Sequence, residues 1–482
     1  MNKLITYKNL VHYFFISIIT FLIWASIGSK YIILENTNEL NFKLIINNLR
    51  FFLPLILIII LIYFKQNYQK NYYLKIIIFT IFISFTIGNY NLHNNVGLVQ
   101  IFNNDQILIK FGYVPNYFRD IMMGVFFIST YLIFSRLDQP ETETLLKLNF
   151  ILLISTTFIT LYFAYSEFFS SQNNKEYLYY TQFLITGELF GVPTIRSLGL
   201  SRNLLIILIP LTFFSLLGKN KKNNIYLNII IIFLCISIFQ LQSRLTIYSF
   251  VIFSILILGY LIFKKDLKKI IFFIFIFLII PQFLNLLVVN AKINYFKEKP
   301  TTNIIKFIQE LKIPKSRMLT STPNNKNFKI EEIRKNYNVN LVSEDAYLAS
   351  EYTSGRTELW KKTLKIFTEK NDYKNIFFGF GTSADRYFLK ENVSNSLFYS
   401  LISGGYLGLI FLILFYLYLL NTIYFFLVNR KKNEDNIIIY SAITVILFIM
   451  LRSLVENSFL IYGTDNIILF TSLFYLENKK IV

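Results

Sequence analysis

The chain reads as an all-α polytopic membrane protein of about twelve transmembrane helices, and three observations predict it. More than half of its 482 residues are hydrophobic, 54%, with a mean hydropathy of +0.50. These residues fall in long runs, and apolar runs of about 18 residues or more read as membrane helices, because lipid offers the backbone no other hydrogen-bond partner. Lysine and arginine then cluster in alternate connectors between the runs, the pattern that sets membrane orientation.

Taken in order, spans are expected near 10–28, 49–64, 72–88, 119–135, 148–166, 203–218, 225–241, 246–263, 270–289, 397–427, 436–452 and 461–477. The first has no small-residue cleavage site after it and reads as a retained helix. Lys65, Lys70 and Lys75, then Arg136 and Lys147, then Lys219, Lys221 and Lys222 fall on one side. Lys264, Lys265, Lys268, Lys269, Arg430, Lys431, Lys432, Lys479 and Lys480 continue the alternation. That places both termini in the cytoplasm, which requires an even number of helices. The chain thus divides into residues 1–289 (nine helices), 290–396 (one large outer loop) and 397–482 (three helices). Within the loop, IIKFIQELKI and ELWKKTLKIF space their apolar residues at helical intervals and predict amphipathic helices on the outer membrane face.

The net charge of +20 would suggest nucleic acid in a soluble protein. Much of the excess lies in short loops, where it sets topology, so no nucleic-acid partner is expected. The single cysteine, Cys235, excludes an intramolecular disulfide and reads as a small core hydrophobe. No histidine or cysteine cluster of metal-ligand spacing, no phosphate-binding glycine loop and no nucleophile elbow occurs, so neither metal nor cofactor is expected.

Arginines carry the chemical signal. Arg244 sits in a tight connector, FQLQSRLTIY, where an arginine is costly unless paired or facing a wet cavity. Arg196 and Arg202 lie in GVPTIRSLGLSRN, just before a span. Arg356 opens the helix GRTELWKK, where the macrodipole opposes it unless something anionic is near. Guanidinium groups converging at a bilayer surface suit a phosphate or diphosphate carried by a lipid.

The stretch Thr353–Gly408 organises the rest, because there a charged helical segment hands directly into a span. With Ser243–Arg244 upstream, it holds GRxxxW at Gly355–Trp360, a GxG turn at Gly379–Gly381, and Asn395 followed, after nine intervening residues (396–404), by Gly405-Tyr-Leu-Gly408. In order and topology this set resembles the O-antigen ligase and polymerase superfamily of bacterial membranes, over about residues 190–410. The resemblance implies a multi-span, GT-C-like glycosyltransferase of the cytoplasmic (inner) membrane, metal-independent, with its active site on the periplasmic or outer side. A glycan on undecaprenyl diphosphate is the implied donor, a second lipid-linked glycan the implied acceptor, and a chain-length regulator a further implied partner. Arg356 and Arg244 would be catalytic, holding the diphosphate; Arg196, Arg202, Trp360 and Asn395 would bind substrate. One departure stands out: Ser394 occupies the family's histidine position. A serine of ordinary pKa is no base near neutral pH. His93, Glu351 and Asp385 remain as candidate bases, and the loss favours the polymerase branch over the ligase branch. A lipid-linked oligosaccharide flippase is the alternative of another class, with about the same number of spans.

Overall fold

The computed structural model describes residues 72–96, 116–137, 139–170, 180–183, 189–194, 198–218, 224–241, 243–298, 356–369, 373–382, 384–385, 393–428, 437–456, 459–460 and 463–481. Helices α1 (Tyr72–Val96), α2 (Asn116–Phe134) and α3 (Gln139–Ser170) lead to a hairpin of β1 (Tyr180–Phe183) and β2 (Leu189–Thr194). Then come α4 (Leu198–Leu217), α5 (Asn224–Gln240), α6 (Arg244–Phe263), α7 (Leu267–Phe273) and α8 (Ile280–Glu298). The segment 290–396 contributes α9 (Arg356–Glu369) and α10 (Tyr373–Phe378). The chain closes with α11 (Ser396–Val428), α12 (Ile437–Ser453) and α13 (Thr464–Ile481).

Six stretches among the described residues are long and apolar enough to cross a membrane, and three shorter apolar helices join them. This is a helical membrane protein. The expected spans near 10–28 and 49–64 lie outside the described residues, as does the amphipathic segment IIKFIQELKI. Each of the other ten expected spans coincides with a helix. α4 lies deep in the bundle with most of its side chains buried, whereas the stretch Leu267–Ala291 is largely open and its Phe275, Phe283 and Leu287 face outward. Isoleucine, leucine and phenylalanine can face outward there because hydrocarbon solvates them.

The hairpin departs from an all-α expectation. Its strands pair antiparallel, Tyr180 with Thr194 and Phe183 with Leu189, and the register shifts between Thr181 and Gln182. Pro193 has no N–H for the ladder, and the irregularity sits beside it. The aromatic and β-branched run YYTQFLITGELFGV favours strand pairing over helix.

Two further irregularities have local causes. Between α7 and α8 the helix widens into a π-turn, Ile274–Ile279, which ends two residues before Pro281. Proline removes a donor and its ring crowds the carbonyl four residues back, so the wider turn relieves the clash. The tight turn before α7 is capped by Asp266, whose carboxylate accepts the Lys269 backbone N–H and stays below the usual carboxylate range for that reason.

The larger irregularity is in α11. Gly405 is non-helical (φ 63°, ψ −161°), so the carbonyls of Ile402 and Ser403 lose their intrahelical donors. The Phe380 and Gly381 N–H groups donate to them instead, both at 2.8 Å. Asn89 of α1 clamps the same loop, its Oδ1 accepting from Thr382 N at 2.7 Å, and the Tyr399 hydroxyl donates to the Thr382 carbonyl at 2.6 Å. A Cβ at Gly405 would lie 2.4 Å from the Phe377 backbone, and one at Gly88 would lie 2.5 Å from the Ser403 carbonyl oxygen. Three backbones therefore touch where only hydrogen fits. The GxG and GxxG patterns read from the sequence form this junction.

Candidate functional site

α9 is amphipathic as expected: Leu359, Thr363 and Phe367, spaced four apart, are buried. Leu359 and Thr363 face inward with Phe367, which packs with Leu92, Phe380, Leu401 and Ile402. Trp360 stacks on Phe398 (5.5 Å, 15°) and donates its indole N–H to the Val393 carbonyl at 3.0 Å. These contacts fix α9 to the start of α11, so Arg356, its first residue, has a defined place.

That place is the end of a chain of alternating charges. Arg356 Nη2 lies 3.4 Å from Glu456 Oε1, and the other Glu456 oxygen meets Arg452 Nη2. Arg452 Nη1 then lies 2.6 Å from Asp465 Oδ2, and Asp465 Oδ1 lies 3.1 Å from Arg202 Nε. Three guanidinium groups alternate with two carboxylates across the ends of α9, α12, α13 and α4. Exposure is graded along the chain: the side chain of Asp465 is 0% exposed, that of Glu456 15% and that of Arg356 21%. Asp465 is thus a fixed internal anion, while the Arg356–Glu456 contact is longer, more open and exchangeable. A carboxylate at the first turn of α13 is also favoured by that helix's dipole.

Neighbouring polar groups tie the same ends together. The Asn395 side-chain oxygen accepts from Leu397 N (2.8 Å) and Phe398 N (3.2 Å), capping α11, while its amide donates to the Leu454 carbonyl at 2.6 Å. Ser394, the residue before it, has φ 53°, in the left-handed region that non-glycine residues rarely adopt. The Ser396 hydroxyl donates to the Ser453 carbonyl at 2.7 Å, and Tyr416 OH lies 2.6 Å from Ser453 Oγ. Across the bundle, Thr246 Oγ1 donates to Ser201 Oγ at 3.3 Å, which puts the first turn of α6 beside the turn that carries Arg202.

The structure therefore brings Arg202, Arg356, Trp360 and Asn395 to one end of the bundle. Arg244 begins α6 at the same end; of it only the backbone is described. Arg196 and Glu351 lie outside the described residues. His93 belongs to the last turn of α1, again by backbone alone. Asp385 is buried, and its Oδ2 accepts the Val393 N–H at 3.2 Å. Among the described residues no group of histidine, cysteine or acidic side chains could hold a metal ion.

Sequence reasoning missed Arg452, Glu456 and Asp465. A signal existed: Arg452 closes an apolar helix, and Glu456 follows at the i+4 spacing of an ion pair. Comparison with family models, with curated proteins and with solved structures finds no match to this chain.

Proposed function

We propose that this chain is a bacterial inner-membrane glycosyltransferase of the O-antigen polymerase kind. It transfers a glycan from undecaprenyl diphosphate to a hydroxyl of a second lipid-linked glycan. The single observation that carries the reading is the convergence of Arg202, Arg356 and Arg452 on one end of the bundle, with α6 starting at Arg244 beside them. In this reading the chain has about twelve spans with cytoplasmic termini. The arginine end then faces the periplasm, together with the long segment 290–396.

The mechanism follows from the charge chain. A diphosphate presents the oxygens that guanidinium forks bind in pairs. It competes with Glu456 for Arg356, whose contact is the most open in the chain. As the sugar–oxygen bond breaks, charge grows on the leaving diphosphate, and Arg356, Arg244 and Arg202 stabilise it more than they stabilise the ground state. That difference is what lowers a barrier, and a dry site enlarges it.

The test is complementation of a deletion strain. Arg356→Ala and Arg244→Ala should each abolish surface glycan polymer at unchanged protein level, and full-length polymer from both variants would sink the reading. Glycan profiling of the deletion strain separates the branches. A single repeat unit on the acceptor core marks a polymerase, whereas polymer stranded on the lipid diphosphate marks a ligase. The break at Gly405 favours a second reading, since transporters bind substrate at interrupted helices. A flippase would leave lipid-linked units on the cytoplasmic face alone.

A further inference from the structure

Transfer of a glycosyl group to a hydroxyl releases a proton, and some group must take it as the bond forms. We infer that Glu456 is that group, an inference that rests on the glycosyl-transfer reading above. Four other carboxylates are described near this end, and each is closed off. Asp465 is buried between two arginines, and Asp385 is buried and holds the Val393 N–H. Asp120 and Glu358 are buried as well. Glu456 alone among them keeps a side chain partly open, at 15%.

Its position is fixed from two directions. The Val455 and Glu456 N–H groups both donate to the Arg452 carbonyl, at 2.9 and 2.8 Å, so Glu456 sits one turn beyond the end of α12. Asn395 ties the same turn to α11 through the Leu454 carbonyl. The two carboxylate oxygens have different partners. Oε2 is held by buried Arg452, whereas Oε1 faces Arg356 at 3.4 Å. A diphosphate that takes Arg356 therefore releases Oε1 and leaves Oε2 anchored. Donor binding and exposure of the base become one event. In the step itself, the bond from the anomeric carbon to the diphosphate oxygen breaks, and its electron pair leaves with the diphosphate. The acceptor oxygen bonds the anomeric carbon and its proton passes to Glu456 Oε1, then to water.

Proteoliposomes carrying the full chain, supplied with lipid-linked glycans extracted from cells deleted for it, test the assignment. Two nucleophiles are compared: the glycan hydroxyl, which must lose a proton, and azide, which brings none. Glu456→Gln should lower hydroxyl transfer by about 10²–10⁴-fold while azide transfer stays within a few-fold of the unaltered chain. Hydroxyl transfer at the unaltered rate overturns the inference. Equal loss with both nucleophiles also overturns it, because it assigns Glu456 to holding the arginines. Should the glutamine variant not fold, Glu456→Asp, which keeps the charge but draws the base back by one methylene, should still lower hydroxyl transfer more than azide transfer, and equal loss of both overturns the inference. If the unaltered chain transfers to neither nucleophile, the glycosyl-transfer reading itself fails.

Discussion

Arg452 holds two carboxylates at once, and the more buried of them, Asp465, has no water to fall back on. Breaking a buried ion pair from one side leaves an uncompensated charge and costs about 3–5 kcal/mol. Arg452→Ala should therefore lower the thermal stability of detergent-purified protein by several degrees, and Arg356→Ala should barely change it, since Arg356 closes the open end of the chain. Equal destabilisation by both would contradict the gradation from a structural to an exchangeable contact. The same gradation explains what was legible in the sequence. Arg202 and Arg356 stood out because each sits where a lone arginine is anomalous, at the mouth of a span or opposed by a helix dipole. Arg452 and Asp465 form a pair across a short connector, and in sequence each passes for an ordinary snorkelling or capping charge. Only the fold shows that they link Arg202 to Arg356.

Element by element, the apolar runs found the helices because length and hydropathy are local properties. α9 was readable too, since its buried face repeats every four residues. The β1–β2 hairpin and the π-turn before Pro281 were not, because both are exceptions that packing and proline sterics impose on otherwise favourable runs. The break in α11 was half legible: glycines in the sequence said that backbones come close, without saying which. A side chain at Gly405 meets a conformation that costs roughly 1–3 kcal/mol for any non-glycine residue, besides the contact with the Phe377 backbone. Gly405→Ala should thus abolish the folded monodisperse species on fluorescence-detected size exclusion. Gly259→Ala, where nothing lies within 4 Å, should leave it intact. A folded Gly405→Ala protein would refute the three-backbone junction.

For the whole molecule, orientation is the property on which the proposed chemistry depends. Cys235 is buried in α5, so its replacement by alanine should give a quiet background for single-cysteine labelling. A cysteine at Lys265, in the turn before α7, should react with an impermeant maleimide only after the inner membrane is opened. One at Tyr373, which is well exposed at the start of α10, should react in intact spheroplasts. The reverse pattern would place the arginines in the cytoplasm and remove the lipid-linked donor from their reach. Alternating basic connectors are what predict this orientation, whereas the convergence of six chain segments on one end is a property of packing alone.

The clasp around Gly405 also bears on how the chain is made. Asn89 and its partner Thr382 are separated by 293 positions. At about 5–20 residues per second of synthesis, α1 spends roughly 15–60 s in the bilayer before the loop that satisfies it exists. During that interval a polar amide faces lipid, translocon or helper protein. Final assembly of α1 must therefore be post-insertional, and any chain that stops before Gly379 carries a permanent unsatisfied polar group by which quality control can recognise it.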